Sequence, residues 1–249
     1  MLFSCGYSLR TNAQAAKQPR FRVLAFYENG GHHVAYSARA VQWLDQLAAD
    51  SNFAIDYRQN TNDFTTDFLE QYQLLIQLDF VPYAWKDEAK QAFRQYIEQG
   101  KGGWIGFHHA TLLGDFDGYT MWPWFSTFMG GITYKNYIPD FASGTVRVEA
   151  TEHPLFRGVP HEFQINKEEW YIYDRSPRPN VTVLANVNED SYVPDSVNVR
   201  MGDHPVVWTN PAVKAPNVYI FMGHGPDLFD NPAYVTLFRN AIFWTTNNQ

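Results

Sequence analysis

The stretch WIGFHHAT, residues 104–111, places two adjacent histidines directly after a run of apolar residues. Strands that are covered on both faces lose the alternation of polar and apolar residues, so this run predicts a buried strand. In an open α/β sheet, ligands bind beyond the carboxyl ends of the strands. We therefore expect His108 and His109 to lie at the edge of the sheet where a functional site forms.

The segments before this strand alternate between strand-like and helix-like patterns. Apolar runs predict strands at FRVLAFY (21–27), FAIDYR (53–58) and QLLIQLD (73–79). Helical spacing predicts a helix from about Val34 to Ala49, and its apolar face is expected to comprise Val34, Ala38, Val41, Leu44 and Ala48. A short helix is expected near 65–71, and a further helix over 85–100 is expected to end at Gly100. Such alternation, with short loops, predicts a mostly parallel sheet with helices on both faces, an α/β fold.

The second half of the chain is less regular. A short helix is expected in MWPWFSTFMGG (121–131), and strands are expected at 144–150, 181–187, 204–210 and 217–223. A terminal amphipathic helix is predicted over 232–246, and its apolar face is expected to comprise Val235, Phe238, Ala241, Ile242 and Phe243. No internal repeat or linker interrupts the sequence, so one domain spanning 21–249 is the expected organisation.

Composition excludes several functional classes. The 249 residues carry a formal net charge of -7, and no Lys/Arg-rich run provides the basic surface that nucleic acid or an anionic membrane requires. No apolar stretch approaches the roughly 20 residues of a transmembrane helix. The single cysteine, Cys5, excludes a disulfide framework, a cysteine-rich zinc site and an internal cysteine nucleophile.

Residues 1–20 are interpreted as an N-terminal tail. Ala13-Gln14-Ala15 resembles a signal-peptidase site and LFSC (2–5) resembles a lipoprotein box, but a basic n-region and a full apolar h-region are lacking. Two alternatives remain open. The tail is either the remnant of an export signal, which implies a periplasmic or lipid-anchored protein, or a cytoplasmic extension.

Histidines recur at the predicted strand ends. If the first strand is central, the loops after strands one and four meet, which brings His32 and His33 of NGGHH (29–33) beside His108 and His109. His224, in FMGHG (221–225), follows another apolar strand. Imidazole transfers protons at neutral pH and is a common metal ligand, and either role needs a carboxylate to orient or complete it.

The carboxylates that could serve this purpose are Asp79, at the end of strand three, and Glu168 and Glu169 in NKEEWYIY (166–173). The run KEE is equally interpretable as a solvated turn, although the apolar sequence after it favours burial of one glutamate. The remaining histidines neighbour prolines and are interpreted as turn formers: His153, His161 and His204.

The ordered segments VLAFYENGGHH, GKGGWIGFHHAT, EHPLFRGVP, KEEWYIY, HPVVWTN and FMGHG resemble the ThuA-like, or trehalose-utilisation, family over roughly residues 21–246. The resemblance implies a flavodoxin-like sandwich similar to class I glutamine amidotransferases. Its characteristic residues fall on His33, His108, His153-Pro154, Glu169 with Tyr171, and Gly223-His224. His109 departs from the family pattern, where a small residue is more usual, and either narrows the pocket or adds a ligand.

The resemblance implies an enzyme of carbohydrate metabolism, a hydrolase, lyase or isomerase that acts on a disaccharide, a glycoside or a 3-keto derivative. Its catalytic residues would be His33, His108, Glu169 and His224, with His33 and His108 as general acid and base. The substrate-binding residues would be His32, His109, Asp79, Tyr83, Trp122 and Tyr171. The turn at His108 corresponds to the amidotransferase nucleophile elbow, which needs a cysteine, so glutaminase activity is excluded.

Two alternatives accompany this interpretation. In the first, a divalent metal, with zinc the foremost candidate, binds His33, His108 and His224, and Glu169 is a ligand or orients one. In the second, the protein is a non-catalytic module that binds sugar or docks a partner on an amidotransferase-like scaffold.

Overall fold

One large sheet and one small sheet contain all the strands of the described residues, which are 18–28, 30–138, 141–192 and 200–247 of a computed structural model. The strands are β1 Arg22–Phe26, β2 Ala54–Arg58, β3 Leu74–Gln77, β4 Gly103–Phe107, β5 Tyr134–Tyr137, β6 Ala142–Val148, β7 Glu162–Glu168, β8 Tyr171–Tyr173, β9 Thr182–Asn188, β10 Pro205–Thr209 and β11 Asn217–Ile220. The helices are α1 Val34–Ser51, α2 Thr66–Leu69, α3 Asp87–Gln99, α4 Pro123–Phe128 and α5 Pro232–Asn247.

The large sheet has nine strands in the order β2-β1-β3-β4-β11-β10-β9-β6-β7. In this order, neighbouring strands from β2 through β1, β3 and β4 to β11 pair in parallel. Neighbouring strands from β11 through β10, β9 and β6 to β7 pair antiparallel. The predicted α/β fold with a mostly parallel central sheet is therefore confirmed, with an antiparallel extension on one side. β3 lies between β1 and β4, but the loops after these two strands meet at one edge of the sheet, as expected, with the His33 and His108 rings 5.1 Å apart.

Helices cover both faces of the parallel half. Phe107 of β4 packs on Phe238 of α5 at a ring distance of 4.5 Å, whereas Trp104 of the same strand packs on Phe128 of α4 at 5.0 Å. Residues three apart in a strand point to opposite faces, so α4 and α5 lie on opposite sides of the sheet. α3 ends at Gly100, whose φ of +71° suits glycine, as predicted.

The buried face of α1 differs from the predicted one. Tyr36, Ser37 and Ala40 are buried together with Leu44 and Ala48, whereas Val34 is 48% exposed. A prediction from apolar residues alone missed this face because two of its members carry hydroxyl groups. The face of α5 is closer to prediction, since Phe238, Ala241 and Ile242 are all buried.

The sequence did not predict β5, β7 or β8. β7 contributes only Phe163 and Ile165 as buried apolar residues. It lies at the edge of the large sheet, where its other side chains, apart from the buried Glu168, face solvent. β5 and β8 form the small two-stranded sheet, and each has four residues or fewer. Short edge strands of this kind leave too little apolar periodicity to detect.

The interpretation of the N-terminal tail falls outside the described residues over 1–17. Within the part of the chain that the structure describes, no helix is long and apolar enough to cross a membrane.

Candidate active site at the carboxyl ends of the strands

Four separate segments of the chain bring histidines and carboxylates together. A 3-10 turn after β1 supplies His33, a second 3-10 turn after β4 supplies His108, the end of β7 leads to Glu169, and the segment after β11 supplies His224. One donor atom from each of these four residues lies within 4.8 Å of the others. We call this set the inner cluster.

The distances inside the inner cluster match those between ligands of one metal ion. His33 Nε2 lies 2.9 Å from His224 Nδ1, and Glu169 Oε2 lies 3.5 Å from both His108 Nε2 and His224 Nδ1. Metal bonds of about 2.0–2.1 Å in a tetrahedron separate neighbouring ligands by about 3.3 Å. Three histidines and one carboxylate are also a donor set that suits zinc and related transition metals.

The backbone at His108 is strained, and a buried network holds it. His108 has a φ of +34°, which is uncommon for a residue with a side chain. Its carbonyl oxygen accepts hydrogen bonds from Thr111 Oγ1 and from the Tyr219 hydroxyl, both at 3.0 Å. Gly223 is needed opposite, since a Cβ there would lie 2.8 Å from His108 Cβ. The turn thereby directs the His108 side chain into the cluster.

Glu168 is a buried residue that contacts His108 of the inner cluster. It is 1% exposed and accepts hydrogen bonds from the backbone N–H groups of Glu169 and Gly223 at 3.0 and 3.2 Å. Its Oε1 lies 3.6 Å from His108 Nδ1. Burial raises the pKa of Glu168 to about 7, against the opposing effects of His224 and of these backbone donors.

Burial and contacts with neighbouring groups set the protonation states of His33, His108 and Glu169. Burial lowers the pKa of His108 to about 3, although contact with Glu169 opposes the shift. Burial, reinforced by repulsion from His109, also lowers the pKa of His33 well below its usual range. Burial alone would raise the pKa of Glu169, but contacts with His108 and His224 outweigh it and hold that pKa low. His33 and His108 are thus neutral and Glu169 is ionised at neutral pH, the protonation states that metal ligands need.

Further groups surround the inner cluster at its mouth. The ring of His109 lies 4.0 Å from that of His33, and its Nδ1 lies 3.5 Å from Glu28 Oε1. Phe141, which is 53% exposed, packs on His224 with a ring distance of 4.3 Å. Neither Glu28 nor Phe141 is predicted from the sequence as a site residue. The only signal for Glu28 is its position at the start of the loop that contains His33.

The predicted substrate-binding residues divide into two groups. His32 is exposed beside His33, His109 lies at the mouth, and Tyr83 is half-buried against Phe116. Tyr171 is buried, with its ring 4.4 Å from that of His108, so it supports the cluster instead of facing solvent.

Asp79 and Trp122 are not placed where a substrate could reach them. Asp79 is completely buried, and its carboxylate lies near Gly223 beneath His108. Trp122 packs among Trp85, Phe93 and Phe125, with ring distances of 5.6, 6.1 and 5.4 Å. The strand end encloses Asp79 and the aromatic core encloses Trp122, so their surroundings give no support to the substrate-binding role that the sequence predicted for them.

The histidines interpreted as turn formers behave differently from one another. His153 begins a 3-10 turn, where its Nδ1 accepts a hydrogen bond from the Leu155 N–H. His204 is instead completely buried, with Nδ1 3.0 Å from Glu189 Oε1. A histidine before a proline therefore did not indicate a turn role in this second case.

Comparisons with known proteins identify the family of this chain. A family model described as ThuA, trehalose utilisation, matches residues 22–245. The chain belongs to the ThuA family. The predicted resemblance is thus confirmed, and the family indicates a carbohydrate-related role. The search of curated proteins gave no match.

Solved structures show the same fold. A ThuA-like protein from Bacteroides uniformis is 30% identical, with a TM-score of 0.79 and 95% of each chain covered. A ThuA-like protein from Parabacteroides merdae is 19% identical, with a TM-score of 0.67 and coverage of 92% of this chain and 91% of that one. The glutaminase domain of CTPS from Trypanosoma brucei, solved with acivicin, is 8% identical, with a TM-score of 0.51 and coverage of 89% and 94%. The last comparison supports the amidotransferase-like fold alone.

Proposed function

We propose that this ThuA-family protein is a metal-assisted enzyme that acts on a disaccharide or glycoside, with the 3-keto derivative as the favoured substrate form. One observation carries the proposal. Four segments distant in sequence place His33, His108, Glu169 and His224 so that their donor atoms lie within 4.8 Å of one another. Burying so many titratable groups is unfavourable for stability, and such groups concentrate at functional sites.

The residues fit a divalent ion on structural grounds. Both ring nitrogens of His108 are buried and have no hydrogen-bond partner within the described ranges. Nε2 faces Glu169 and Nδ1 faces Glu168, at 3.5 and 3.6 Å. A histidine that ligates through one nitrogen and is oriented by a carboxylate at the other is a common arrangement in metal sites. Three of these four residues would hold the ion and leave its fourth position open, where the ion would act as a Lewis acid on a substrate oxygen. The remaining residue would be free to accept a proton.

The charge state of the cluster favours removal of a proton over its donation. His33 and His108 have lowered pKa values and are neutral at neutral pH, and Glu169 is ionised. None of these three groups can serve as a general acid there. A proton next to a carbonyl group, as in a 3-keto sugar, is the kind that such a site would remove. We therefore propose that His33 and His108 bind the ion or accept a proton, and that neither acts as a general acid.

A two-carboxylate glycosidase mechanism has less support. Such enzymes place two carboxyl groups on either side of the scissile bond, one of them protonated. Here Glu168 is 1% exposed and engaged by backbone donors, while Glu169 contacts two imidazoles. Neither carboxyl is free to flank a substrate in that way.

Phe141 is the residue we assign to sugar contact. Its exposed ring beside His224 could pack against the C–H face of a pyranose. This assignment replaces Trp122 as the aromatic contact, because Trp122 belongs to the core.

A thermal-unfolding screen tests the proposal. Metal-replete protein should be stabilised by trehalose, glucosides or their 3-keto forms, because a ligand that binds only the folded state raises its stability. His108→Ala should lose the shift, and His161→Ala, at an exposed bend away from the cluster, should keep it. No shift with any sugar would favour the docking module. Full turnover of a confirmed substrate by His108→Ala would exclude the catalytic assignment.

A further inference from the structure

We propose that Glu28 and His109, together with the shared imidazole of His33, hold a second divalent cation beside the inner cluster. One donor atom from each of these three residues lies within 4.8 Å of the others. The inference rests on the proposed function, because His33 also belongs to the inner cluster. It assigns a role to Glu28, and it resolves the two alternatives for His109 in favour of a ligand.

The hydrogen bond of His109 fixes which of its ring nitrogens can bind a metal. Nδ1 lies 3.1 Å from the carbonyl oxygen of Asp79 and 3.5 Å from Glu28 Oε1. Both oxygens only accept, so Nδ1 carries the proton and Nε2 keeps the free lone pair that can bind a metal, while the second oxygen of Glu28 remains available to the same ion. Histidines that ligate metals commonly donate their other N–H to a backbone carbonyl in this way. The strand end at Asp79 therefore orients His109 as a ligand.

His33 has a second nitrogen available. Its Nε2 lies 2.9 Å from His224 Nδ1, within the inner cluster. Its Nδ1 is buried and has no hydrogen-bond partner among the residues that the structure describes. A buried polar atom without a partner is costly, and ligation would satisfy it. One imidazole can bind two ions through its two nitrogens once it has lost its remaining N–H proton, which passes to solvent.

The second site lies closer to solvent than the first. The side chains of Glu28 and His109 are 23% and 13% exposed, whereas that of His108 is fully buried. A second ion there would stand where substrate enters the cluster. Glu28 supplies a carboxylate that offsets part of the added positive charge. Paired ions can stabilise two oxygens of one substrate at the same time, one on each ion.

Metal stoichiometry tests the second site without any activity measurement. Metal-free protein is equilibrated with Zn²⁺, and bound metal is counted by native mass spectrometry and by titration calorimetry. We expect two ions per chain in the wild type, one in His109→Ala and one in Glu28→Gln, and two in the His161→Ala control. Circular dichroism of each variant checks that the fold is retained. If His109→Ala fails to fold, Glu28→Gln alone tests the second site.

The outcomes separate the two proposals. One ion in the wild type and one in both variants would overturn the second site and leave the inner site standing. Two ions in the wild type and in both variants would also overturn it, because the second ion would then bind elsewhere. No bound ion in the wild type would overturn the metal part of the proposed function together with this inference.

Discussion

Glu168 Oε1 lies 3.6 Å from Nδ1 of His108, and both side chains are buried. Glu168 accepts two backbone hydrogen bonds, from the Glu169 N–H on the same Oε1 and from the Gly223 N–H on Oε2. The carboxylate is therefore fixed by β7 and by the segment after β11, and it fixes His108 in turn. We infer that Glu168 is a positioning residue that acts through His108.

Replacing Glu168 should weaken metal binding without removing a ligand. Glu168→Gln keeps one of the two oxygens that accept backbone hydrogen bonds but loses the other, together with the carboxylate that orients His108, so metal affinity should fall about 10- to 100-fold. Competition with a chelator of known affinity measures the change. Glu162→Gln, an exposed position on the same strand, is the matched control. Unchanged affinity in Glu168→Gln would show that His108 does not depend on this carboxylate.

The hydroxyl network beneath His108 should matter for both stability and metal affinity. Thr111 Oγ1 lies 2.7 Å from the Tyr173 hydroxyl and 2.7 Å from the Tyr219 hydroxyl, and both Tyr219 and Thr111 donate to the His108 carbonyl. Tyr219→Phe should lower the free energy of unfolding by about 1–2 kcal/mol. Chemical denaturation of the metal-free protein measures this loss. A fully stable variant with wild-type metal affinity would mean that the strained turn holds without the network.

Phe141 should affect substrate binding more than stability. Its ring is 53% exposed, so Phe141→Ala should leave the melting temperature nearly unchanged. Loss of an aromatic contact worth roughly 0.5–1.5 kcal/mol should raise KM about two- to tenfold while kcat changes little. Tyr119→Ala, with a ring that is 50% exposed, provides a control. Equal KM values for Phe141→Ala and the wild type would remove Phe141 from the sugar site.

Glu189 gives the fold a defined acid sensitivity. Burial raises its pKa, but His204 and the N–H groups of Met201 and Gly202 outweigh this and lower the pKa to about 2. Because the pKa of Glu189 in the folded protein lies below its ordinary value of 4.5, ionised Glu189 stabilises the folded state. This contribution to the free energy of unfolding is complete above about pH 4.5 and is lost as the pH falls towards 2.

The Glu189→Gln variant should therefore be less stable than the wild type by roughly 1–3 kcal/mol at pH 7, and the difference should shrink as the pH falls from 4.5. Thermal unfolding across this pH range measures it. Glu152→Gln, at an exposed site, should follow the wild type throughout. A difference between Glu189→Gln and the wild type that stays constant down to pH 2 would contradict the lowered pKa.

The sequence predicted the parallel half of the fold because that half is built from continuous apolar strands and long helices. It predicted His33, His108 and His224 as a group because each follows such a strand. It failed in the antiparallel half, where β7 has few apolar residues, and so it left two interpretations open for Glu168 and Glu169.

Other residues of the site carry no local signal. Phe141 lies just before β6 at the far side of the sheet, and only the folded chain brings it to His224. Trp122 was expected near the site because aromatic rings can bind sugars, but the same property makes them core residues. Sequence position cannot separate these two roles.

The most direct test of the central claim is the consumption of the 3-keto form of trehalose by metal-replete protein, followed by product analysis, for the wild type and for His108→Ala. The account predicts turnover by the wild type. For folded His108→Ala it predicts a loss of at least about 100-fold in kcat/KM, because the substitution removes a metal ligand. Equal turnover by the two proteins, or none by the wild type with any keto sugar, would contradict it.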